Sequence, residues 1–203
     1  MNKSVHMDIA GILSGGDPRS LGRNNEVVAH VLAQPRQIGA LFDCVFHDDE
    51  TIRMRASDAL EKVSRDRPDL LQRYSRRLLT SMPKIDQPSV QWHLAQILPR
   101  LRLSPIERRR ATAVLKRNLD HYDDWIVVTS TLEALAEFAR RSRRTPSGLL
   151  DLLEIYAEDR RKSVAHRAGK LVAEFSGKRR RRRRQRRAVK KPPSSRQIES
   201  TRE

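Results

Sequence analysis

The sequence predicts an all-α protein, an α-solenoid of about four helical hairpins with an N-terminal capping helix and a disordered basic C-terminal tail. Three observations support this prediction. Apolar residues recur at the i, i+3 or i+4, i+7 spacing of helices that bury one face. These apolar stripes themselves recur every 37 or 38 residues. After residue 177 the apolar pattern stops and the composition becomes strongly basic.

Two different stripes repeat at this interval, so coincidence is a poor explanation. The first stripe has four sets in steps of 37: Ile38, Leu41, Phe42, Val45; Ser75, Leu78, Leu79, Met82; Thr112, Leu115, Lys116, Leu119; and Leu149, Leu152, Leu153, Tyr156. The second has steps of 38, 37 and 37: Ile52, Ala56, Ala59, Leu60, Val63; Val90, Leu94, Ile97, Leu98, Leu101; Val127, Thr131, Ala134, Leu135, Phe138; and Val164, Ala168, Leu171, Val172, Phe175. Each unit is therefore predicted to be a pair of helices. One pair cannot bury both stripes, so neighbouring pairs must stack.

The N-terminal part is predicted to be a flexible segment over residues 1–23, with a short helix around Ile9, Ile12 and Leu13 followed by a turn. Asn24 can cap a helix over residues 25–33. An apolar stripe on this helix could close the open end of the stack, so we expect a capping helix here. The repeat domain is predicted to span residues 24–177.

Four pairs are predicted at residues 35–65, 67–102, 104–140 and 145–176. Proline begins two of the first helices, at Pro68 and Pro105, where it costs no helical hydrogen bond. Ser104 with Glu107 forms a capping-box pattern, and Thr145-Pro146 gives another start signal.

Three aspartates in phase with the repeat, Asp49, Asp86 and Asp123, each precede a second helix and are expected to cap it. Pro99 falls inside a second helix and is expected to kink or shorten it. Ser176-Gly177 is expected to end the last helix. Residues 178–203 are then predicted to be a disordered tail, because like charges repel and nothing apolar offsets the entropy of ordering them.

The segment Thr51 to Val63, TIRMRASDALEKV, resembles the second helix of a HEAT repeat. The shared pattern is an aliphatic residue followed by arginine, alanine three positions further on, then alanine-leucine and another aliphatic residue. The other units lack this arginine. The resemblance covers about residues 35–176 and implies a right-handed, armadillo-like stack that acts as a scaffold. It also implies a structural role for Arg53 with Asp48 or Asp49, since such residues commonly contact each other in the family.

No pattern in the sequence predicts a cofactor or a metal. None of the six histidines belongs to an H-E-x-x-H motif, and no G-x-S-x-G elbow is present. The turns with His47 and His121 carry aspartates but should lie nearly 20 Å apart, too far to share one ion. The single cysteine, Cys44, is predicted to be a buried thiol. Without a transmembrane or signal-peptide stretch, we expect a soluble, cytoplasmic protein that is monomeric and does not bind membranes.

The net charge of +17 is concentrated at the C-terminal end, where residues 178–203 contain 13 basic and 2 acidic residues. Such a run favours sequence-independent binding of DNA or RNA. The predicted nucleic-acid-binding residues are Lys178, Arg179, Arg180, Arg181, Arg182, Arg183, Arg184, Arg186, Arg187, Lys190 and Lys191. Basic clusters of the body could extend a phosphate-binding track, namely Arg76-Arg77, Arg108 to Arg110, Arg140-Arg141 with Arg143-Arg144, and Arg160 to Lys162. The same run could also be only a solubilising tail.

A candidate binding surface on the second helices consists of Arg55, Trp92, His93 and Arg167. These residues also suggest an alternative. Some HEAT-like proteins are DNA glycosylases that excise alkylated bases with tryptophans and an aspartate on a basic concave surface. Here Trp92 and Trp125, with the acids Asp58 and Asp124, provide such residue types.

The favoured interpretation is a non-enzymatic scaffold or adaptor that binds an unidentified protein partner. Its arginine-rich tail would add nucleic-acid binding.

Overall fold

The computed structural model describes residues 7–17, 20–142 and 148–190, with side chains described up to residue 177. These residues contain eleven α-helices and no strand, which confirms the all-α prediction. The helices α1 to α11 are, in chain order, Ile9–Leu13, Asn24–Ala33, Ile38–Cys44, Glu50–Asp66, Asp69–Gln72, Ser75–Thr80, Pro88–Ile97, Pro105–His121, Trp125–Arg140, Leu149–Ala157 and Lys162–Lys190. Short 3₁₀ turns cover Pro35–Gln37, Met82–Lys84 and Leu98–Arg100.

In three of the four predicted pairs the first helix packs extensively on the second. Helix α3 packs on α4, α8 on α9 and α10 on α11. In the second pair, the predicted first helix is divided into α5 and α6, and α7 is the second helix. Successive second helices also pack on one another, α4 on α7, α7 on α9 and α9 on α11. Each pair therefore meets its neighbour mainly through the second helices.

A single apolar core runs through these contacts from Ile9 to Phe175. Every residue of the predicted second stripe is buried except Val172, which is partly buried. The first stripe is less accurate on α8. There the core-facing residues are Ala111, Leu115 and Asn118, so the buried face is rotated from the predicted one.

Polar side chains also join neighbouring pairs at close to one repeat in sequence. Arg53 Nε donates to Gln87 Oε1 at 2.8 Å, across 34 positions. The buried carboxylate of Glu61 accepts from Arg100, 39 positions away, at 2.7 Å, and from Arg65 of its own helix at 2.7 Å. Both contacts join the first pair to the second.

Arg53 has the structural role that the sequence suggested. It contacts Asp48 through the backbone carbonyl and not through the carboxylate. Its Nη1 donates to the backbone carbonyls of His47 and Asp48, at 2.9 and 2.7 Å. It therefore fastens the turn before α4 to the next pair through Gln87.

Only one of the three predicted aspartate caps is present. Asp49 caps α4 by accepting from the amides of Thr51 and Ile52. For α9 the cap is Asp124, one residue after the predicted Asp123. Asp86 does not cap α7, whose first residue, Pro88, has no amide hydrogen, and it accepts instead from the Tyr122 hydroxyl at 2.9 Å. The predictions for Asp86 and Asp123 are wrong because both side chains bond to the following pair.

Two other local predictions are confirmed. Ser104 and Glu107 form the reciprocal capping box at the start of α8. Pro99 shortens α7, which ends at Ile97 and continues as a 3₁₀ turn over Leu98–Arg100. The missing amide hydrogen of proline accounts for this change of helix type.

Helix α1 lies within the segment predicted to be flexible and packs against the body, and the division of the chain at residue 24 stays a prediction. Helix α1 buries Ile9 and Leu13 and packs on α2, α3 and α4. Helix α2 packs on α4. Asn24 is fully buried there, and its side-chain amide donates to the carbonyl of Arg55 at 2.5 Å. The apolar patch recognised in the sequence is therefore part of the core.

The predicted end of the last helix at Ser176-Gly177 is wrong, because α11 continues without interruption to Lys190. Arginine and lysine are strong helix formers, and a single glycine lowers helix stability by about 1 kcal/mol without forcing an end. The division of the chain at residue 178 stays a prediction. Residues 191–203 lie outside the described part of the chain.

Cys44 is buried, as predicted, with 8% of its surface exposed. Burial and the neighbouring Asp43 raise the pKa of its thiol to about 11. None of the described helices has the length and apolar character needed to cross a lipid bilayer.

Candidate nucleic-acid interface

The basic extension, which we define as residues 178–190, is the C-terminal part of α11. It contains ten of the eleven predicted nucleic-acid-binding residues, and Lys191 lies outside the described residues. The preceding part of α11 buries Val164, Ala168, Leu171 and Phe175. A packed helix therefore leads directly into the extension.

The cluster at the end of α9 is neutralised by carboxylates. Arg140 Nη2 lies 2.8 Å from Glu174 Oε2, and Arg140 also pairs with Glu133 and Glu137. The hydrogen bonds with Glu174 raise the pKa of Arg140 above its usual value. Arg141 pairs with Glu137 at 2.9 Å and also donates to the carbonyl of Pro99. These arginines link three neighbouring elements, so they do not form a free phosphate track.

The cluster before α11 is likewise engaged. Arg160 pairs with Asp123 at 2.6 Å. Arg161 pairs with Asp123 at 2.8 Å and with Asp159 at 2.6 Å. The hydrogen bonds from Arg161 lower the pKa of Asp159 to about 2. The turn before α11 is thereby fastened to the turn before α9 through Arg160 and Arg161, whereas Lys162 is exposed and forms no ion pair with a described carboxylate.

Other cations of the body are exposed and form no ion pair with a described carboxylate: Arg36, Arg73, Arg76, Lys84, Arg102, Arg109, Arg110, Lys116, Arg117, Lys162 and Lys170. Arg109 lines a shallow depression of about 490 Å³ at the start of α8. Arg77 instead pairs with Asp43 and lies over the rings of Phe42 and Phe46, and Arg108 lies over Phe138. Arg143 and Arg144 lie outside the described residues. The unpaired cations of the body are therefore distributed over several helices and turns.

The four residues of the candidate binding surface do not form one surface. Arg55 and His93 are buried, with 1% and 6% of their surface exposed. Trp92 is partly exposed, and the edge of its ring meets His93 with centroids 5.3 Å apart. Arg167 is exposed and pairs with Glu133 at 2.9 Å. The repeat phase identified equivalent positions, but the N-terminal segment covers the first of them.

Arg55 holds that segment through backbone carbonyls. Its guanidinium donates to Leu13 and Gly15 at 2.7 and 2.6 Å, to Asp17 at 2.8 Å and to Ser20 at 3.0 Å. Sequence reasoning missed this role. The available signal was the glycine-rich turn, in which three glycines with positive φ bring the carbonyls to one point: Gly15, Gly16 and Gly22.

Gly22 is needed at this site for two reasons. Its φ of +53° lies in the left-handed region, and a Cβ there would stand 3.2 Å from Arg55 Cζ. Any other residue would therefore push against the guanidinium that holds the segment.

A buried serine, histidine and aspartate also meet between α4 and α7. Ser57 Oγ lies 2.9 Å from His93 Nδ1, and His93 Nε2 lies 3.5 Å from Asp58 Oδ1. The Ser57 hydroxyl also lies 2.8 Å from the carbonyl of Met54, and which partner donates in the Ser57–His93 contact depends on the histidine tautomer. Burial raises the pKa of Asp58, but hydrogen bonds from His93 and Lys62 outweigh this effect and lower it overall. The cluster joins two helices, and Ser57 is fully buried within it.

The residues that suggested a glycosylase are dispersed among other roles. Trp125 is 51% exposed at the first position of α9, and Asp124 is the cap of that helix. No ring contact joins Trp125 to Trp92 in the described part of the chain. Within the same residues, no three histidine, cysteine or acidic side chains lie close enough together to hold a metal ion. The alternative enzymatic function stays a prediction.

Comparison of the chain with protein-family models, with curated proteins and with solved structures gives no match. The function must therefore be argued from the distribution of charge and packing in this molecule.

Proposed function

We propose that this protein is a non-enzymatic scaffold that binds a protein partner through its helical body and binds nucleic acid through its basic C-terminal end. In this proposal the body is a right-handed α-solenoid of HEAT type, α2 closes one end of it, and the protein is a cytoplasmic monomer. The row of packed second helices α4, α7, α9 and α11 and the packing of α2 on α4 support the architecture.

The observation that carries the nucleic-acid part is the density of basic residues in the extension, compared with the carboxylate-paired clusters of the body. In the body, the clusters at Arg140 and Arg161 are balanced by carboxylates. In the extension, ten of the thirteen residues are basic, and no acidic residue occurs between Glu174 and Glu199. The extension is therefore a dense run of basic residues with no acidic residue in the same segment, as binding to a polyanion requires.

Binding of this kind follows from release of the counterions condensed on nucleic acid. If about six to ten phosphates are neutralised, affinity for duplex DNA should fall about 10³- to 10⁵-fold between 50 and 200 mM salt. The extension contains no aromatic residue, and a run dominated by arginine supplies contacts to phosphate that are indifferent to sequence. The body would add specificity through its partner, while the extension raises the local concentration at nucleic acid.

The test compares the full chain with a protein truncated after residue 177. We expect truncation to remove most binding to DNA and RNA and to flatten its salt dependence. The melting temperature should change little, because the buried residues of α11 end at Phe175. The control is a full-length Arg109→Ala, Arg110→Ala double variant, which loses two exposed body charges and should keep nearly all binding.

Equal binding by the truncated protein would refute the proposal. The protein partner is tested separately by affinity capture with both proteins, with and without nuclease. A partner held directly by the body should be captured by the truncated protein after nuclease treatment, and a partner captured only by the untreated full chain would be bridged by nucleic acid.

A further inference from the structure

Helix α11 makes the basic extension a continuation of the packed body. The helix has 29 residues, so it is about 43 Å long at 1.5 Å per residue. Its first half is fixed by Val164, Ala168, Leu171 and Phe175, which are buried in the contacts with α9 and α10. A flexible tether would need a break between the two halves, and the helix has none.

Gly177 is the junction between the two halves. A Cβ at Gly177 would meet no atom within 4 Å, so the glycine is not required by close packing. The packed half supplies the helical nucleus, and each further residue adds only a propagation step. Each pair of like charges at i, i+4 destabilises the helix by about 0.2 to 0.5 kcal/mol. A bound polyanion neutralises these charges and so removes the repulsion between them. The helix should therefore become more stable on nucleic acid.

We propose that the basic extension binds double-stranded DNA as an α-helix in the major groove, which also fixes the body relative to the duplex. This inference rests on the proposed function. A helix is about 10 to 12 Å wide with its side chains, close to the width of about 12 Å of the B-DNA major groove. The major groove of A-form RNA is deep and narrow, which disfavours duplex RNA.

The dimensions and composition of the extension agree with a duplex target. Thirteen residues rise about 20 Å, which corresponds to about six base pairs at 3.4 Å each. Six base pairs offer about twelve phosphates to the ten basic residues of the extension. No aromatic residue follows Phe175, so the segment has no platform on which the bases of a single strand could stack.

The experiment breaks the helix without changing its charge. Full-length Gly177→Pro interrupts α11 at the junction, and Gly177→Ala, for which the structure has room, is the matched control. Affinity is measured by fluorescence anisotropy for a 24-base-pair DNA duplex of mixed sequence, for one strand of it and for the RNA duplex of the same sequence. Helicity is followed by far-UV circular dichroism with and without DNA.

We expect Gly177→Pro to weaken binding to duplex DNA at least about tenfold and binding to the single strand less than about twofold. Gly177→Ala should bind the duplex as tightly as the wild type or more so. Helicity should rise on adding DNA to the wild type and to Gly177→Ala, and rise less for Gly177→Pro. If Gly177→Pro lowers the melting temperature, Gln185→Pro with Gln185→Ala as its control repeats the comparison within the extension.

Unchanged duplex affinity in a proline variant whose helicity is reduced would overturn the inference and leave the proposed function standing, because the extension would then act as an unstructured tether. Tighter binding of duplex RNA than of duplex DNA would also overturn it. If the wild type binds none of the three nucleic acids at 100 mM salt, the proposed function itself fails.

Discussion

Replacing Arg55 by alanine should release the N-terminal segment from the body. Four hydrogen bonds from a charged donor at about 1.5 kcal/mol each amount to about 6 kcal/mol. Removing the guanidinium from water costs several kcal/mol, since Arg55 is 1% exposed. This desolvation cost disappears when the side chain is removed, so it offsets part of the loss of the hydrogen bonds. We therefore expect the free energy of unfolding to fall by about 2 to 3 kcal/mol and the melting temperature by about 5 to 10 °C.

The more specific consequence is local, and amide hydrogen exchange measures it. In the wild type, the amides of Ile12 and Ser14 donate to the carbonyls of Asp8 and Ala10 within α1. In Arg55→Ala, these amides should exchange much faster, while those at the centre of α9 change little. Arg55→Lys keeps the charge but has three donors on one atom, so it should restore only part of the protection.

The control is Arg65→Ala on the same helix, a largely exposed arginine with one partner, Glu61, which keeps its bond to Arg100. It should alter neither the exchange of α1 nor the melting temperature appreciably. The reasoning would be refuted if Ile12 and Ser14 stayed as protected in Arg55→Ala as in the wild type.

Three further predictions concern charge and burial in the body. Glu61→Ala should lower the free energy of unfolding, measured by urea titration, by about 3 kcal/mol, because the partly buried Arg100 loses its carboxylate partner and keeps only the Glu61 carbonyl and the Ser64 hydroxyl. Asp69→Ala, at an exposed pair, should have little effect. Burial raises the pKa of the Cys44 thiol to about 11. At pH 8 this thiol should therefore react with a thiol reagent at least about 100-fold more slowly in the native protein than in urea. A rate equal to that of free cysteine would contradict its burial. Arg161 lowers the pKa of Asp159 from 3.8 to about 2, so the stabilisation from this ion pair should be complete above about pH 4 and be lost as the pH falls through about 2. Asp159→Asn should remove this part of the acid unfolding transition. An unchanged transition would argue against the pair.

The helix pairs could be predicted because burial imposes a period on the sequence. Residues such as Leu60, Leu94 and Leu135 report their burial through spacing alone, and the structure buries all three. The rotation of α8, where Asn118 faces the core in place of Lys116, could not be predicted in this way. A buried asparagine resembles a surface residue in any pattern based on hydrophobicity.

Single polar contacts were harder to predict than the pairs. Asp49 and Asp123 occupy equivalent positions, yet Asp49 caps its helix and Asp123 pairs with Arg160 and Arg161. The difference depends on the adjacent Asp124, which takes the cap, and on cations that arrive from the next pair. A carboxylate near a helix start has two favourable partners, and only the three-dimensional arrangement decides between them.

The candidate interface was predictable as a composition, but its helical form was not. Ten basic residues in a row of thirteen are plain in the sequence. Repulsion among these charges favours disorder, and the sequence predicts that the helix ends at Gly177. In the structure, α11 instead continues from its packed half to Lys190. The prediction that Arg55 lies on a surface is wrong for a related reason. The repeat spacing contains no information about the N-terminal segment, which precedes the repeats and covers Arg55.

The reach of the polar contacts also bears on how the protein is made. Among the side-chain hydrogen bonds of the described residues, the widest separation in sequence is 42 positions, between Arg55 and Leu13 and between Arg141 and Pro99. A nascent chain can therefore complete each contact soon after the second partner leaves the ribosome, and pairs can fold in order of synthesis. The N-terminal segment emerges before Arg55, which holds it, so it stays open to proteases and chaperones until α4 has formed.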